Sequence, residues 1–507
     1  MDDVRERRRE AIGRWALPLA TLALMLVTAP GYGIFRDELY YLSCSRRLAW
    51  GYVDQPPLVA LLAALVRAVA GESLVALRAL PAAALAATVL LAGDTARALG
   101  GGRWARLLAQ LLTATAPVFL ALASIFSMNA FDLLVWAGLS RLAVALLSGG
   151  SPRLWLAFGA LAGVGLENKL DVGLLGAGLA AGILAARRDL LRERRLWLGA
   201  ALAMALFLPH LLWQVAHDFP TREFVANAQS GKIVALGPLG FLAAQAGTVG
   251  PIAALMALAG FVWLLAATAS RPFRPLGLAL ALVLAIFAFS PSKPYYFAPA
   301  FPLLFAAAGV ALEGWTARRA PRWTRRLAVG LAASVLIAAP LAKPLLPVED
   351  YLRYAARLGQ QPGSDERHEV GRLPQYFADM HGWRELAAEV GRVAAALPES
   401  ERARLCVFAN NYGQAGAIEH FRRDFRLPPV ISGHNNWWLW GPGACTGEVM
   451  LILGGDVEDY RPLFASVEAA GQHHSDLGMP YENVTLWLAR GPQTPLAEVW
   501  PAVRHYD

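Results

Sequence analysis

Residues 196–215 read LWLGAALAMALFLPHLLWQV, preceded by RRDLLRERR at 187–195 and followed by AHDFPTREF at 216–224. Twenty mostly apolar residues, rising 1.5 Å each as a helix, match the ~30 Å hydrocarbon core of a bilayer. A surface helix of a soluble protein would place polar residues every third or fourth position. Here only His210 and Gln214 interrupt the run, so the helix is apolar all round and its solvent is lipid. Phe241–Thr268, Leu276–Ser290 and Leu327–Leu346 read alike, and Leu80–Leu91 is the apolar heart of another such run. The whole chain agrees: 507 residues, 56% hydrophobic and 17% charged, where soluble domains carry about a quarter charged residues. The sequence describes a polytopic membrane protein.

Applied outward from that stretch, the length rule gives about eleven spans. They lie near 12–31, 76–98, 104–125, 129–148, 152–168, 171–187, 196–216, 238–268, 275–291, 295–315 and 326–346. The N-terminus imitates a secretory signal, but cleavage after Ala29 would leave Pro30 next, and we read it as an uncleaved first span. Orientation follows from where Lys and Arg collect. Every second loop is basic. These are the N-terminus (Arg5, Arg7, Arg8, Arg9), the loop with Arg97, Arg103 and Arg106, Arg153, the Arg187–Arg195 run, Arg271 with Arg274, and the run Arg318, Arg319, Arg322, Arg325 and Arg326. That placement explains the net charge of +8 without nucleic acid, and sets the N-terminus on the cytoplasmic side. Loops 32–75, 128–129, 167–171, 217–238 and 291–294 then face outward, and so does the tail.

The tail, residues 348–507, is charged and rich in turns. Helical patterns (Trp383–Ala396, Tyr460–Ala470) alternate with strand-like runs (Leu405–Ala409, Val449–Leu453, Val484–Ala489), which predicts a small extracytoplasmic α/β domain. The expected division is therefore a membrane domain over 1–347 and an outer domain over 348–507. Of three cysteines, Cys406 and Cys445 pair if their segment meets an oxidising compartment and stay free thiols otherwise.

The chemistry concentrates in the first outer loop, GYGIFRDELYYLSCSRRLAWGYVDQPPLVALL at 31–62. Asp37 and Glu38 are adjacent acids ahead of a short helix, and Asp54 and Gln55 precede a proline pair. The aromatic surroundings (Phe35, Tyr40, Tyr41, Trp50, Tyr52) suit a membrane interface, where a partly desolvated carboxylate can act as general base on a hydroxyl. Basic residues are scarce on the outer side, and those present fit a phosphate at the membrane surface. Beside Arg36, Arg46 and Arg47 in the first outer loop, a mild exception to the charge rule, they are Lys169, Arg222, Lys232 and Lys293, the last followed by Tyr295. Each alone also suits a helix-end anchor. Metal, P-loop and serine-hydrolase patterns are not read, and His473–His474 makes no metal site by adjacency. Trp437, Trp438 and Trp440 read as packing residues, with sugar stacking as the alternative.

The first span followed by R-D-E-L-Y-Y and D-Q-P-P-L resembles the GT-C membrane glycosyltransferases of the protein mannosyltransferase and aminoarabinose transferase type (families 39 and 83). Gly165–Lys169 and Lys293–Tyr296 leading into Ala298–Pro302 are further matches. The likeness covers roughly 10–315, and the tail motifs NNYGQAGAIEHF and SGHNNWWLWGP match a bacterial subgroup. The resemblance implies a GT-C fold and transfer of a sugar from a polyprenyl-phosphate donor to a hydroxyl of an envelope lipid, glycan or protein, usually with inversion and without a required cofactor. It casts Asp37 with Glu38 as the catalytic pair. Asp54, Gln55, Tyr40 and Arg222 would bind acceptor or donor, and Lys169, Lys293, Lys232 and Tyr295 the donor phosphate. Gln55 departs from the Lys or His of relatives, so Lys169 and Lys293 would replace that contact. A transporter or lipid-linked-sugar flippase is the rival, and it would show internal repeats and interrupted helices with mid-membrane charges.

Overall fold

The computed structural model describes residues 2–319 and 321–507; the side chains of 1–9, 316–325, 332, 335 and 336 lie outside the described residues, among them the topogenic Arg5, Arg7, Arg8, Arg9, Arg318, Arg319, Arg322 and Arg325. The chain divides into two compact units. The first comprises Met1–Gly31, Ser73–Trp213 and Val234–Pro347, and the second Tyr32–Glu72, Gln214–Ile233 and Val348–Asp507.

The first unit is all helix. Among the described residues, six helices are long and apolar enough to cross a membrane: Glu10–Val27, Leu74–Ala98, Met128–Leu147, Arg194–Ala216, Arg271–Phe289 and Pro294–Trp315. Gly237–Val249 and Pro251–Ala266 form a seventh span if taken together, but they meet at 117°. The break follows from Gly250, at φ +89°, and from Pro251, whose ring and missing N–H end a continuous helix. Pro117 breaks the 104–125 stretch in the same way, into Arg103–Thr115 and Pro117–Leu122. The stretches expected near 152–187 are helices of 13 and 15 residues, and the last is Pro321–Ala342.

Lipid gives no hydrophobic reward for burying leucine, so these helices pack through small residues that let backbones touch. A Cβ on Gly260 would sit 2.1 Å from the Leu304 carbonyl, and one on Gly182 2.2 Å from that of Pro275. Outward faces stay apolar. Trp197, Leu198 and Leu212 are all exposed on Arg194–Ala216, a surface that suits hydrocarbon.

The second unit has a five-stranded sheet of β1 (Leu405–Ala409), β2 (Val430–Ser432), β3 (Val449–Leu453), β4 (Phe464–His473) and β5 (Val484–Pro492). Its order is β2-β1-β3-β5-β4. β1 runs parallel to β2 and β3, while β5 runs antiparallel to β3 and β4. Val407 pairs with Val430 and Leu451, and Leu451 pairs with Leu488. Trp383–Ala396 covers the sheet with Leu386, Val390 and Val393, all buried.

Two sequence expectations are corrected here. Tyr460–Ala470 is not a helix: a single turn, Val457–Tyr460, leads into the edge strand β4. Ala and Glu in FASVEAAGQH favour a helix locally, but pairing with β5 overrides that preference. The loop aromatics are not an interfacial belt either. Phe35, Tyr40, Tyr41 and Tyr52 are buried, and only Trp50 is exposed. Leu39, Tyr40 and Tyr52 share one apolar core with Trp383, Val407, Leu451 and Trp437. The loop thus completes the core of the tail's fold. Its second helix, Leu58–Ala70, leaves Leu61, Leu65 and Val69 exposed at four-residue spacing.

Candidate active site

Arg36–Arg46 begins at Arg36, so the acidic pair occupies its first turn, where a carboxylate complements the unpaired N–H groups. The two acids separate from there. Glu38 is fully buried and accepts the Phe35 N–H at 2.8 Å. Asp37 keeps its side chain about a third exposed. Its Oδ1 accepts the Tyr412 hydroxyl at 2.9 Å, and the Arg36 Nε lies 3.6 Å away. Among the described residues, nothing hydrogen-bonds its Oδ2.

Arg36 is buried beneath this pair. Its Nη1 donates to the Tyr481 hydroxyl at 2.6 Å, its Nη2 is 3.6 Å from Asp379, and its guanidinium lies over the Tyr412 ring. Burial pushes the Asp379 carboxyl up to about 7 against the pull of Arg36. Glu482 is buried as well and accepts from Asn411 and Gln414 at 3.0 and 2.8 Å. The helix Tyr412–His420 supplies Tyr412 because Gly413 and Gly416 let the loop helix approach. A Cβ on Gly413 would meet Arg36 Cγ at 2.7 Å, and one on Gly416 would meet Leu39 Cβ at 2.9 Å.

Asp54 accepts the Tyr40 hydroxyl at 2.9 Å. Burial pushes its carboxyl up to about 7, the hydrogen bond from Tyr40 opposes that, Asp37 adds to it, and Lys232 draws it back. Asn436 joins the same group, its Oδ1 accepting the Val53 N–H at 2.6 Å. Gln55 is buried, with Nε2 3.8 Å from the Cys44 sulfur and Oε1 without a partner among the described residues. Lys232 lines a cleft with Asn227, His368 and His505, and Arg222 is exposed on Pro220–Asn227. Asp37, Asp54, Tyr40, Gln55 and Lys232 thus belong to one unit, together with Tyr412, Asn436 and Arg36, which were not singled out from the sequence. The signal was present in NNYGQAGAIEHF and SGHNNWWLWGP, but nothing local says what those motifs touch.

His434, His505 and Asp507 bring ligand atoms within 4.8 Å of one another, the one group of that kind among the described residues. Burial, and then His505, push His434 well below its usual range. Both rings already have protein partners: His434 Nε2 is 2.9 Å from the Asp507 carbonyl, and His505 Nε2 is 3.2 Å from that of Asn410.

The remaining expected residues lie in the membrane unit. Lys169 is held between Asp171 at 2.7 Å and Asp132 at 3.3 Å, with Tyr296 5.3 Å from its ammonium. Lys293 caps the turn Pro294–Ala300, in which Tyr295 packs edge-on against Tyr296. Gln245 donates to the Pro294 carbonyl at 3.2 Å. Gln245 also lines an apolar groove walled by Leu242, Leu255, Phe261, Leu284 and Phe301, so the groove reaches the turn that carries Lys293.

Residues 54–213 match the family model of dolichyl-phosphate-mannose-protein mannosyltransferases. No curated protein matches the sequence. Among solved structures, ArnT from Cupriavidus metallidurans bound to undecaprenyl phosphate is similar at a TM-score of 0.62 and 16% identity, covering 95% of this chain and 100% of that one. Its apo state gives the same score and identity, covering 96% and 100%. The oligosaccharyltransferase of Archaeoglobus fulgidus follows at 0.48 and 11% identity, covering 79% of this chain and 62% of that one; a likeness at that level carries no argument. The resemblance read from the first loop stands: by family model over part of its length and by fold over nearly all of it, the chain is similar to the GT-C membrane glycosyltransferases.

Proposed function

We propose that the protein is a membrane glycosyltransferase that moves a sugar from a polyprenyl-phosphate donor to an acceptor hydroxyl on the outer face of a bacterial inner membrane. Asp37 carries this reading: a partly exposed carboxylate with one oxygen fixed by Tyr412 and Arg36 and the other unengaged among the described residues. That arrangement suits a general base. The Asp37 Oδ2 takes the acceptor proton while the acceptor oxygen bonds to the anomeric carbon. The bond from that carbon to the phosphate oxygen breaks, and polyprenyl phosphate leaves with inversion. Glu38, occupied by the Phe35 N–H, holds the helix start.

The donor's lipid tail suits the apolar groove by Gln245, and Lys293 with Tyr295 suits its phosphate. Lys169 already faces two carboxylates, so it joins the phosphate only by exchanging one of them. Lys232 and Arg222, with Asp54, Tyr40 and Gln55, belong to the acceptor side in this reading. The topology is eleven spans with the second unit outside, and the Cys406–Cys445 disulfide supports an oxidising compartment for it. No separate metal or cofactor is assigned. The bent helix pair is the interruption a transporter would use, but its break, Val249–Gly250–Pro251, is uncharged, which does not favour that rival.

The test is turnover of a panel of polyprenyl-phosphate sugars by reconstituted protein with envelope extract. Asp37→Asn is expected to lower turnover at least ~100-fold while folding normally. Equal turnover in both proteins would remove Asp37 from the chemistry. Lipid-linked sugar carried across vesicles without transfer would favour the flippase.

A further inference from the structure

A second cleft in the membrane unit opens at the helix ends that carry the basic N-terminus. Its walls are the middle of Asp2–Val27 with Glu10, Arg14 and Trp15, the end of Leu74–Ala98 with Asp94 and Arg97, Arg106 in the first turn of Arg103–Thr115, and Arg141 in the second half of Met128–Leu147. Four guanidinium groups therefore converge on two carboxylates. Arg14 is taken up by Asp94, through Nε at 3.1 Å and Nη2 at 2.6 Å. Arg97 reaches Glu10 at 3.5 Å and the Gly101 carbonyl at 3.0 Å. The Arg106 and Arg141 guanidinium groups make no hydrogen bond or close ion pair with a described residue, Asp94 and Glu10 act on Arg106 only from a distance, and the Arg106 Nε is shut off from solvent without a partner.

Two arginines at other helix ends are each paired with an acid. Arg187 forms a two-point pair with Asp189 on an open loop, and Arg195 has Glu193. In the cleft, walled by four helices, four guanidinium groups face two carboxylates, and the cytoplasmic side read from the arginine loops would set it at headgroup depth. Guanidinium forks match phosphate oxygens, basic pockets between spans on the cytoplasmic side suit anionic headgroups, and tryptophan favours that depth. Trp15 stands there, with the Arg14 guanidinium 5.6 Å from its ring centroid.

We propose that this cleft binds the phosphate headgroup of an anionic phospholipid of the cytoplasmic leaflet, with Arg106 and Arg141 as its principal donors. The site is separate from Asp37, and the proposal does not rest on the glycosyl-transfer reading. The test uses full-length, delipidated protein, with native mass spectrometry and thermal unfolding as readouts. Phosphatidylglycerol, phosphatidylcholine and inorganic phosphate are the probes. Phosphatidylglycerol is expected to stay bound and to raise Tm, and phosphatidylcholine to do neither. Arg106→Gln with Arg141→Gln should weaken phosphatidylglycerol at least ~10-fold, while Arg194→Gln with Arg195→Gln leaves it unchanged. Asp94→Asn removes the internal competitor and should tighten binding. If the double variant does not fold, Arg141→Gln and Asp94→Asn decide by their opposite signs. Unchanged lipid binding in these variants overturns the site. An equal Tm rise with millimolar inorganic phosphate, lost in the same variants, overturns the lipid and leaves a soluble anion as the ligand.

Discussion

Tyr412 reaches Asp37 from 375 positions along the chain, and burial pushes its hydroxyl well above the usual tyrosine range, so it remains a donor. A carboxylate gripped on one oxygen presents the other in a fixed direction, which is what a base needs towards a bound hydroxyl. Tyr412→Phe should lower kcat about 10-fold, the worth of one hydrogen bond to a charged group, with KM and Tm little changed. A fall in Tm matching the loss of activity would make Tyr412 structural instead. Asp54 makes a prediction of opposite character. Its folded carboxyl titrates near 7, raised by burial, against ~3.9 when unfolded. The folded state therefore holds its proton where the unfolded chain has lost it, and this residue's contribution to stability falls as pH rises from about 4 to 7. Asp54→Asn, which can still accept from Tyr40, should raise Tm at pH 8 and leave it nearly unchanged at pH 4. A pH-independent shift would show that Asp54 is not titrating there. The pair Asp37–Glu38 was legible as a feature, but the division of labour within it was not. Which carboxylate caps the helix depends on where Phe35 N–H points, and residue types alone do not fix that.

Six of the eleven expected spans appear among the described residues as single helices long and apolar enough to cross a membrane, because a run of about twenty apolar residues has one stable home and the bilayer sets its length. Others are broken, bent or short where Pro, Gly and polar residues interrupt the run. Three of the five strands were legible too, as short β-branched or aliphatic runs between turns. β2 was missed because Val430–Ser432 is only three residues long. β4 was misread because its Ala-rich sequence is stabilised by a neighbour strand, which periodicity cannot see. What fixes the contact between the loop helix and Tyr412–His420 is the absence of side chains at Gly413 and Gly416, three positions apart on one face. Gly416→Val puts a branched side chain where Leu39 already sits, and overpacking of this kind costs ~1–3 kcal/mol. We expect a lower Tm together with lost turnover, since the same helix carries Tyr412. Gly231→Ala, with nothing within 4 Å of the added Cβ, should change neither.

The second unit is assembled from three stretches, Tyr32–Glu72, Gln214–Ile233 and Val348–Asp507, whereas the sequence suggested a loop on one domain and a separate tail. Local pattern identifies elements but not partners hundreds of residues away, so Tyr40 and Tyr52 looked like interface aromatics when they are core residues of the tail's fold. The one covalent tie in this unit tests both its stability and its compartment. Cys406 in β1 and Cys445, just ahead of β3, are 39 residues apart in sequence, and closing a loop of that size restricts the unfolded chain by ~2–4 kcal/mol. Reduction of the purified protein should lower the Tm of this unit, and a Cys406→Ser, Cys445→Ser protein should match the reduced wild type and ignore reductant. A thiolate formed outside is oxidised and one formed inside is kept reduced. Alkylation of intact cells followed by denaturation should therefore find these two sulfurs blocked until reductant is added, while the buried Cys44 becomes reactive on denaturation alone. Free thiols at 406 and 445 in cells would place the second unit in the cytoplasm, reverse the orientation read from the arginine loops, and move Asp37 to the side where a nucleotide sugar, not a lipid-linked one, is the available donor.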